Sequence, residues 1–540
     1  IVGGGVTGTG AAVDAATRGL RVALIEARDY AAGASSKSSK LIHGGLRYLE
    51  MLDFGLVREA LRERRLLLTE LAPHLVRPVP FLWPLTHRWW ERPYVGAGLV
   101  LYDTMGGRRA VPRARHLSRA GVLRIAPGLR RDALVGGVQF YDAQEDDARM
   151  VMFLARTAAA HGAALVTGVR AEELISEGGR VRGVRARDRD GGELVIRARQ
   201  VATAAGAWTG TLTPDTSDSG APDGLRVRPS KGIHIVIPRS RIPMDTGLLT
   251  RTEKSVLFVI PWGEHWLIGD TDTAWDYDPA YPAASRADID YLLAKTNQML
   301  RDPITAADIQ GVFAGLRPLV AATGADTTRL SREHTVDTAT PGLTTIAGGK
   351  FTTYRVMARD LVDAAVRDLD PDIPPSRTHQ VPLVGAAGYA QRWAARADIA
   401  GSSGLAVEHV ERLLGRYGSC LDDLLDLIGG RPELAAEVPD GGGYLAAEIS
   451  YACTHEGAVH LDDVLARRTR IAIEVADRGV AAAPRVAALM AAELSWDDAR
   501  QREEVARYRA GIAALLAGEQ APGDAGAFQA RLDADGAVTL

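Results

Sequence analysis

The chain has 540 residues, too many for one ordinary core, so two or three domains are expected. Hydrophobic residues make up 46% and charged residues 24%, a globular balance, and the net charge of -3 gives no nucleic-acid signature. No apolar run approaches the ~20 residues that span a bilayer. Cys420 and Cys453 stand alone, which argues against a disulfide framework or a cysteine-ligated metal and suits a reducing, cytoplasmic compartment.

The chain opens on Ile1-Val2-Gly3-Gly4-Gly5-Val6-Thr7-Gly8, and Glu26 ends the apolar run Val22-Ala23-Leu24-Ile25. This spacing predicts a strand, a glycine turn, a helix over 11–18 and a second strand ending in an acid. Gly3 makes the tight turn, Gly5 lets the backbone approach a pyrophosphate, and Gly8 lets helix and strand pack closely. The helix N-terminus faces phosphate charge, and Glu26 is placed to accept hydrogen bonds from ribose hydroxyls. These features predict a dinucleotide site, with NAD and FAD both open because they share the turn. Only Ile1 and Val2 precede the glycines and no methionine starts the chain, so the natural N-terminus is expected upstream.

Helical spacing over 56–71 predicts an amphipathic surface helix. Pro73, Pro78, Pro80 and Pro84 then break regular structure, and 81–102 mixes Trp83, Trp89, Trp90 and Tyr94 with Arg88 and Arg92. There follow a helix at 150–161, a short strand at 164–166, a Gly/Arg-rich hairpin region to 195 and an apolar strand at 201–206. Strands are expected at 233–238, 256–261 and 266–269, and another at 343–349 ends in glycines before a helix near Thr352. After about 381 the chain turns Ala/Leu/Arg/Glu-rich, with helical periodicity over 407–516, which predicts a separate all-helical domain. Pro374-Pro375 and 384–388 mark the linker, and the last ~20 residues are expected to be loosely ordered.

Three further stretches carry chemistry. Ala34-Ser35-Ser36-Lys37-Ser38-Ser39-Lys40-Leu41-Ile42-His43-Gly44-Gly45-Leu46-Arg47-Tyr48-Leu49 follows the ribose acid closely. Its serines offer hydroxyls beside a diphosphate, Gly44-Gly45 lets the backbone pass a flat ring, and His43 stands one turn before Arg47. Gly315-Leu316-Arg317-Pro318 holds an arginine rigidly, and Arg332 follows. Gly348-Gly349-Lys350-Phe351-Thr352-Thr353-Tyr354-Arg355 is a second glycine turn entering a helix, a geometry that favours anions. Arg47, Arg317, Arg332 and Lys350 together suit a phosphate or carboxylate on a small substrate. Lysine is scarce, six of 64 basic residues, so Lys40, Lys231 and Lys350 are candidates for positions that need a compact ammonium.

The run from Ser38 to Leu49 and the run from Gly348 to Arg355 closely resemble the FAD-dependent glycerol-3-phosphate dehydrogenases. So do Tyr141-Asp142-Ala143-Gln144 with Asp146-Asp147-Ala148-Arg149, and Ile260-Pro261-Trp262. His455-Glu456-Gly457-Ala458 and Asp462-Asp463-Val464-Leu465-Ala466-Arg467-Arg468-Thr469 resemble that family's C-terminal domain. One departure stands out: Gly269-Asp270-Thr271-Asp272, where the family usually reads Gly-Thr-Thr-Asp. Asp270 is expected either to pair with a site arginine or to face solvent. Asp146 and Asp147 with Arg149 are expected to brace the FAD and substrate domains, and His455-Glu456 to be a packed helix feature.

The resemblance implies an α/β chain with a Rossmann-like FAD-binding domain (1–72, 139–222, 336–375) and an antiparallel-sheet substrate domain (73–138, 223–335). A C-terminal all-helical domain (385–518) and a flexible tail (519–540) complete it. It implies FAD held by Gly3, Gly5, Gly8, Glu26, Ser35, Ser36, Ser38, Gly44, Gly206 and Gly349, and no metal. It implies oxidation of sn-glycerol 3-phosphate at C2 to dihydroxyacetone phosphate, with hydride passing to flavin N5. His43 and His234 are the base candidates, His43 favoured, because imidazole titrates near working pH. Arg317 would stabilise the developing alkoxide, and Arg47, Tyr48, Arg332, Lys350 and Thr352 would grip the phosphate. The oxidase branch carries an extra insertion for which the filled spacing from Lys231 to Lys350 leaves no room, which favours a membrane quinone over oxygen as acceptor. Trp and Tyr among arginines in 81–102 suit a peripheral contact on the inner face of the plasma membrane, a partly buried aromatic cluster being the other reading. Another flavin oxidoreductase acting on an amine or hydroxy acid is the alternative. The oligomeric state stays open, a homodimer included.

Overall fold

The computed structural model describes residues 1–540 apart from 46–52, 88–89, 106–109, 213–224, 253–255, 321–332, 368, 370–371 and 539–540. A parallel sheet carries the glycine turn. Val2 stands at its centre and bridges Ile25 on one side and Thr203 on the other. Beyond Ile25, β1 (Ala23–Glu26) pairs in parallel with β5 (Ala164–Thr167). Beyond Thr203, β6 (Val201–Thr203) pairs in parallel with β12 (Leu343–Gly348), and His334–Asp337 closes that edge antiparallel. Helix α1 (Val6–Thr17) packs against α4 (Asp147–Ala160) and α5 (Tyr354–Val366). Its small residues permit this: a Cβ on Gly10 would stand 3.0 Å from the Tyr354 ring, and Ala11 and Ala12 are fully buried. This is the Rossmann-like layer expected, assembled from three distant parts of the chain.

A larger sheet forms the second layer. Its order is Thr273–Ala274, β7 (Val227–Pro238), β10 (His265–Gly269), β9 (Val256–Trp262), β8 (Gly247–Arg251), β3 (Arg77–Leu85), β4 (Gly136–Gln144) and β2 (Leu41–Ile42). Strand β11 (Gly311–Val320) lies beside β7 and Arg115–Ser118 beside β4. The sheet was expected to be antiparallel and is mixed: Gly247 and Leu248 run parallel to Phe81 and Leu82, joining two antiparallel halves. It also takes in Leu41–Ile42 and reaches Gln144, outside the 73–138 and 223–335 blocks, because a two-residue strand shows no period to read.

Alternation along β7 sets up the site. Ile233, Ile235 and Ile237 face one apolar cluster with Trp266 and Leu292, while Val236 faces another with Phe313 and Trp262. His234 therefore shares the Val236 face.

The C-terminal region is helical, as expected. It shares a core with α4: Phe153 and Leu154 belong to one apolar cluster with Leu413, Leu414 and Tyr451. The tail is a correction. Instead of a flexible 519–540, the chain forms α8 (Asp524–Val538). Phe528 stacks on Tyr277 with ring centroids 5.0 Å apart, and Asp524 meets Lys231 at 2.5 Å. Its Gly, Pro and Asp content suggests looseness, but its partners lie some 250 residues away, beyond any local signal.

Candidate active site

The glycine turn has hard steric reasons. Gly3 adopts φ +112°, and a Cβ there would lie 2.5 Å from the Ala204 carbonyl oxygen. A Cβ on Gly8 would overlap the Gly3 carbonyl oxygen. Gly5 precedes α1 and has no side chain of its own to cap it; Val6 N is taken by Ser35 Oγ, and the next N–H groups of the first turn point toward the anion position. Glu26 accepts from Gly4 N at 2.7 Å and from Arg28 N at 2.9 Å. Each carboxylate oxygen keeps a second lone pair for a ribose hydroxyl. Gly4, a free position in the sequence pattern, proves constrained: its Cβ would come within 2.8 Å of Glu26 Cβ.

The serine loop leans on this turn. Ser35 Oγ accepts from Val6 N at 3.0 Å, and the buried Ser36 Oγ has no hydrogen-bond partner in the described structure. Ser38 is tied to α4. Its N and Oγ both donate to Asp147 Oδ2, at 2.9 and 2.8 Å. Lys40, fully buried, donates to Asp147 at 2.7 Å and to Ser36 O at 2.8 Å. Lys231 is equally buried against Asp288 and Asp524, both at 2.5 Å. Both lysines answer internal carboxylates.

Four long-range contacts gather the remaining candidates. His43 N donates to Thr352 Oγ1 at 3.1 Å, across 309 residues of sequence. Gly44 N donates to Tyr102 OH at 2.7 Å, and that hydroxyl donates to Asp142 at 2.7 Å. Leu61 and Tyr102 crowd the Cβ position of Gly44, a packing reason for glycine there. His234 Nε2 lies 3.0 Å from Ser39 Oγ, and its ring stacks on Phe313 at 4.9 Å. Lys40 Nζ sits 4.9 Å from the same Phe313 ring. Burial, then the nearby Lys40 and Arg317 charges, lower the His234 pKa to about 3, so the ring is neutral at ordinary pH.

Arg317 stands on β11 opposite Ser230 of β7. It pairs with Asp270, donates to Thr271 O at 3.0 Å, and lies 3.7 Å from Asp272. Asp270 thus takes the arginine and not solvent. Gly232 makes this possible, since any Cβ there would strike both partners. Gly348 and Gly349 have φ of +79° and +85°, and Lys350 follows as the cap of a short 3-10 turn. Gly206 has φ +57°, with nothing within 4 Å of the Cβ position. Arg47, Tyr48 and Arg332 lie outside the described residues.

The Asp146–Asp147–Arg149 set joins different partners from those expected. Arg470 meets Asp146 and, at 2.6 Å, Asp147; Arg149 meets Glu456 at 2.6 Å. These pairs brace the FAD-binding layer to the helical domain, not to the substrate domain. Glu456 is thereby a structural partner, and His455 stacks on Tyr451 at 4.3 Å.

The model of the FAD-dependent oxidoreductase family matches residues 1–364, and that of the C-terminal domain of alpha-glycerophosphate oxidase matches 376–501. The chain is 51% identical to glycerol-3-phosphate dehydrogenase 2 of Mycobacterium tuberculosis (strain ATCC 25618 / H37Rv) over 535 residues, 99% of this chain and 91% of that one. It belongs to the FAD-dependent glycerol-3-phosphate dehydrogenase family. The Mycobacterium leprae glycerol-3-phosphate dehydrogenase is also 51% identical, over all of this chain and 92% of its own. The FAD-complexed glycerol-3-phosphate dehydrogenase of Bacillus halodurans superposes with a TM-score of 0.75 at 29% identity, covering 95% of this chain and 93% of that one.

FAD is the cofactor of this family, and the residues present fit it. The glycine at the α1 N-cap, the orphaned Ser36 hydroxyl and the open space beside Gly206 are what a dinucleotide with a flat ring requires. Sequence reading missed Ser39, Phe313, Tyr102 and Gly232. Ser39 stood within a quoted run, whereas Phe313 and Gly232 gave no local signal.

Proposed function

We propose that this protein oxidises sn-glycerol 3-phosphate at C2 to dihydroxyacetone phosphate and passes the electrons to a membrane quinone. The 51% match to the mycobacterial dehydrogenase, over 99% of this chain and 91% of that one, carries the reading. Bound FAD supplies the hydride acceptor. His43 takes the C2 hydroxyl proton: its backbone is fixed by Thr352, while His234, wedged between Ser39 and Phe313 with a depressed pKa, is a poor base and orients the serine loop. Arg317, steadied by Asp270, faces the developing alkoxide charge. Lys350 and Thr352, with Arg47, Tyr48 and Arg332, grip the phosphate.

A second reading, an oxidase that uses oxygen, draws on the match of 376–501 to an oxidase C-terminal domain. Anaerobic addition of glycerol 3-phosphate should bleach the flavin absorbance. Rapid return of colour with a quinone and slow return in air supports the dehydrogenase, and the reverse order supports the oxidase. No bleaching contradicts both.

Membrane contact, on the inner face of the plasma membrane, belongs to the same proposal. Helix α3 (Glu91–Met105) exposes Tyr94, Val100 and Leu101, and Trp90 just before it is 54% exposed. Aromatic and aliphatic side chains on one exposed helix suit a bilayer interface. No described helix is long and apolar enough to cross a membrane. A Trp90→Ser, Tyr94→Ser double variant should lose co-sedimentation with vesicles. Unchanged sedimentation would count against the contact.

A further inference from the structure

The four-residue run Arg467-Arg468-Thr469-Arg470 lies in the helical domain, yet its three arginines reach into the FAD-binding layer. Arg467 reaches Asp29 at 2.5 Å, and Arg468 reaches the same carboxylate at 2.8 and 2.7 Å. Asp29 is 2% exposed and lies three residues beyond Glu26. Its loop is bonded to the glycine turn, Ala31 N donating to Gly4 O at 3.0 Å.

Arg470 serves the other side. It meets Asp147 Oδ1 at 2.6 Å, and Asp147 Oδ2 accepts from Ser38 N, Ser38 Oγ and Lys40. Ser35, at the head of that loop, bonds to Val6 N at the start of α1. Arg416 reinforces the arrangement, donating to Asp146 at 3.1 Å and to Arg468 O at 2.6 Å. One short run therefore tethers both loops that border the phosphate turn.

Docking alone does not call for such a network. Buried ion pairs recover little net energy after desolvation, and their attested use is to fix position. Apolar packing of α4 on the helical domain already supplies adhesion. What the arginines add is orientation, since both oxygens of Asp29 and of Asp147 are held.

We propose that the Arg467–Arg470 run is a positioning clamp through which the helical domain sets the affinity of the glycine turn for FAD. This rests on FAD occupying that turn. The test measures FAD release from full-length holoenzyme by recovery of free-flavin fluorescence. Arg470→Gln should raise the FAD dissociation constant by roughly tenfold, and Arg470→Lys by less. Tyr451→Phe cuts the Arg156 hydrogen bond across the same domain boundary, away from both loops and from the three clamp arginines. It should lower the unfolding temperature and leave FAD affinity alone. Ser38→Ala removes the Oγ bond to Asp147 and leaves those from residue 38 N and Lys40, so it loosens the tether from the other end while keeping the domain interface. It should weaken FAD and, combined with R470Q, add little further. Unchanged FAD affinity in R470Q, equal loss in Y451F, or full additivity with S38A overturns the clamp. If R470Q does not fold, S38A decides: unchanged FAD affinity there overturns the clamp. Wild-type protein that holds no FAD would instead overturn the cofactor reading.

Discussion

The two ends of the cofactor site are built by different rules. At the dinucleotide end the constraint is local and backbone-made: Gly3, Gly4 and Gly8 leave no room for a side chain, and Glu26 binds main-chain N–H groups. At the proposed reacting end it is assembled over long distances through side chains: Thr352 Oγ1 holds His43 N, Ser39 meets His234, and Asp270 pairs with Arg317. The first end tolerates almost no substitution and says little about chemistry. The second can be retuned one residue at a time, and a departure such as Asp270 survives there because Gly232 leaves it space.

Predictions that separate the ends begin with the largest effect. Gly8→Ala drives a methyl into the Gly3 carbonyl, so the purified protein should carry no FAD, read from its flavin absorbance. Gly19→Ala, at the far end of α1, is the matched control: its Cβ meets nothing, and only the positive φ costs about 1–2 kcal/mol, so FAD should remain. Loss of FAD from both would erase the steric distinction.

At the reacting end, His43→Gln should keep FAD and lower turnover by roughly 100- to 10,000-fold, the usual worth of a general base. His234→Gln, removing an orienting contact, should cost about tenfold. An inverted order of these two would move the base to His234. Asp270→Thr restores the residue usual in the family and releases Arg317. It should lower kcat by about tenfold through a looser guanidinium, with FAD content unchanged.

A separate effect, on stability and not on turnover, is in pH. His74, buried beside Phe153, and His234 both have pKa values lowered to about 3 by burial first. The unfolded chain takes up protons near pH 6.5 that the folded chain refuses. Their contribution is fully present above that pH and is lost as pH falls toward 3, at about 1.4 kcal/mol per histidine per unit. Urea unfolding of wild type should weaken between pH 7 and pH 5, and His74→Phe should narrow that difference. An equal difference in the variant would mean that His74 is not held neutral.

How legible each end is in the sequence follows from the same contrast. Glycine spacing, the acid at Glu26 and the apolar strands are local, so the turn and its layer can be read directly. The serine loop is only half readable: Ser35 and Ser36 border the turn, but Ser38 and Lys40 are claimed by Asp147, more than a hundred residues away. Scarcity marked Lys40 and Lys231 as special, and charge type alone does not say whether an ammonium faces a phosphate or a buried carboxylate. The aromatic face of α8 escaped for the same reason: Phe528 makes sense only beside Tyr277.

Anaerobic single-turnover reduction of the flavin in His43→Gln, with FAD content measured on the same sample, addresses the division between the two ends most directly. The account predicts full FAD occupancy and reduction by glycerol 3-phosphate slowed by about 100-fold or more. Reduction at the wild-type rate, or a protein stripped of FAD, would contradict it.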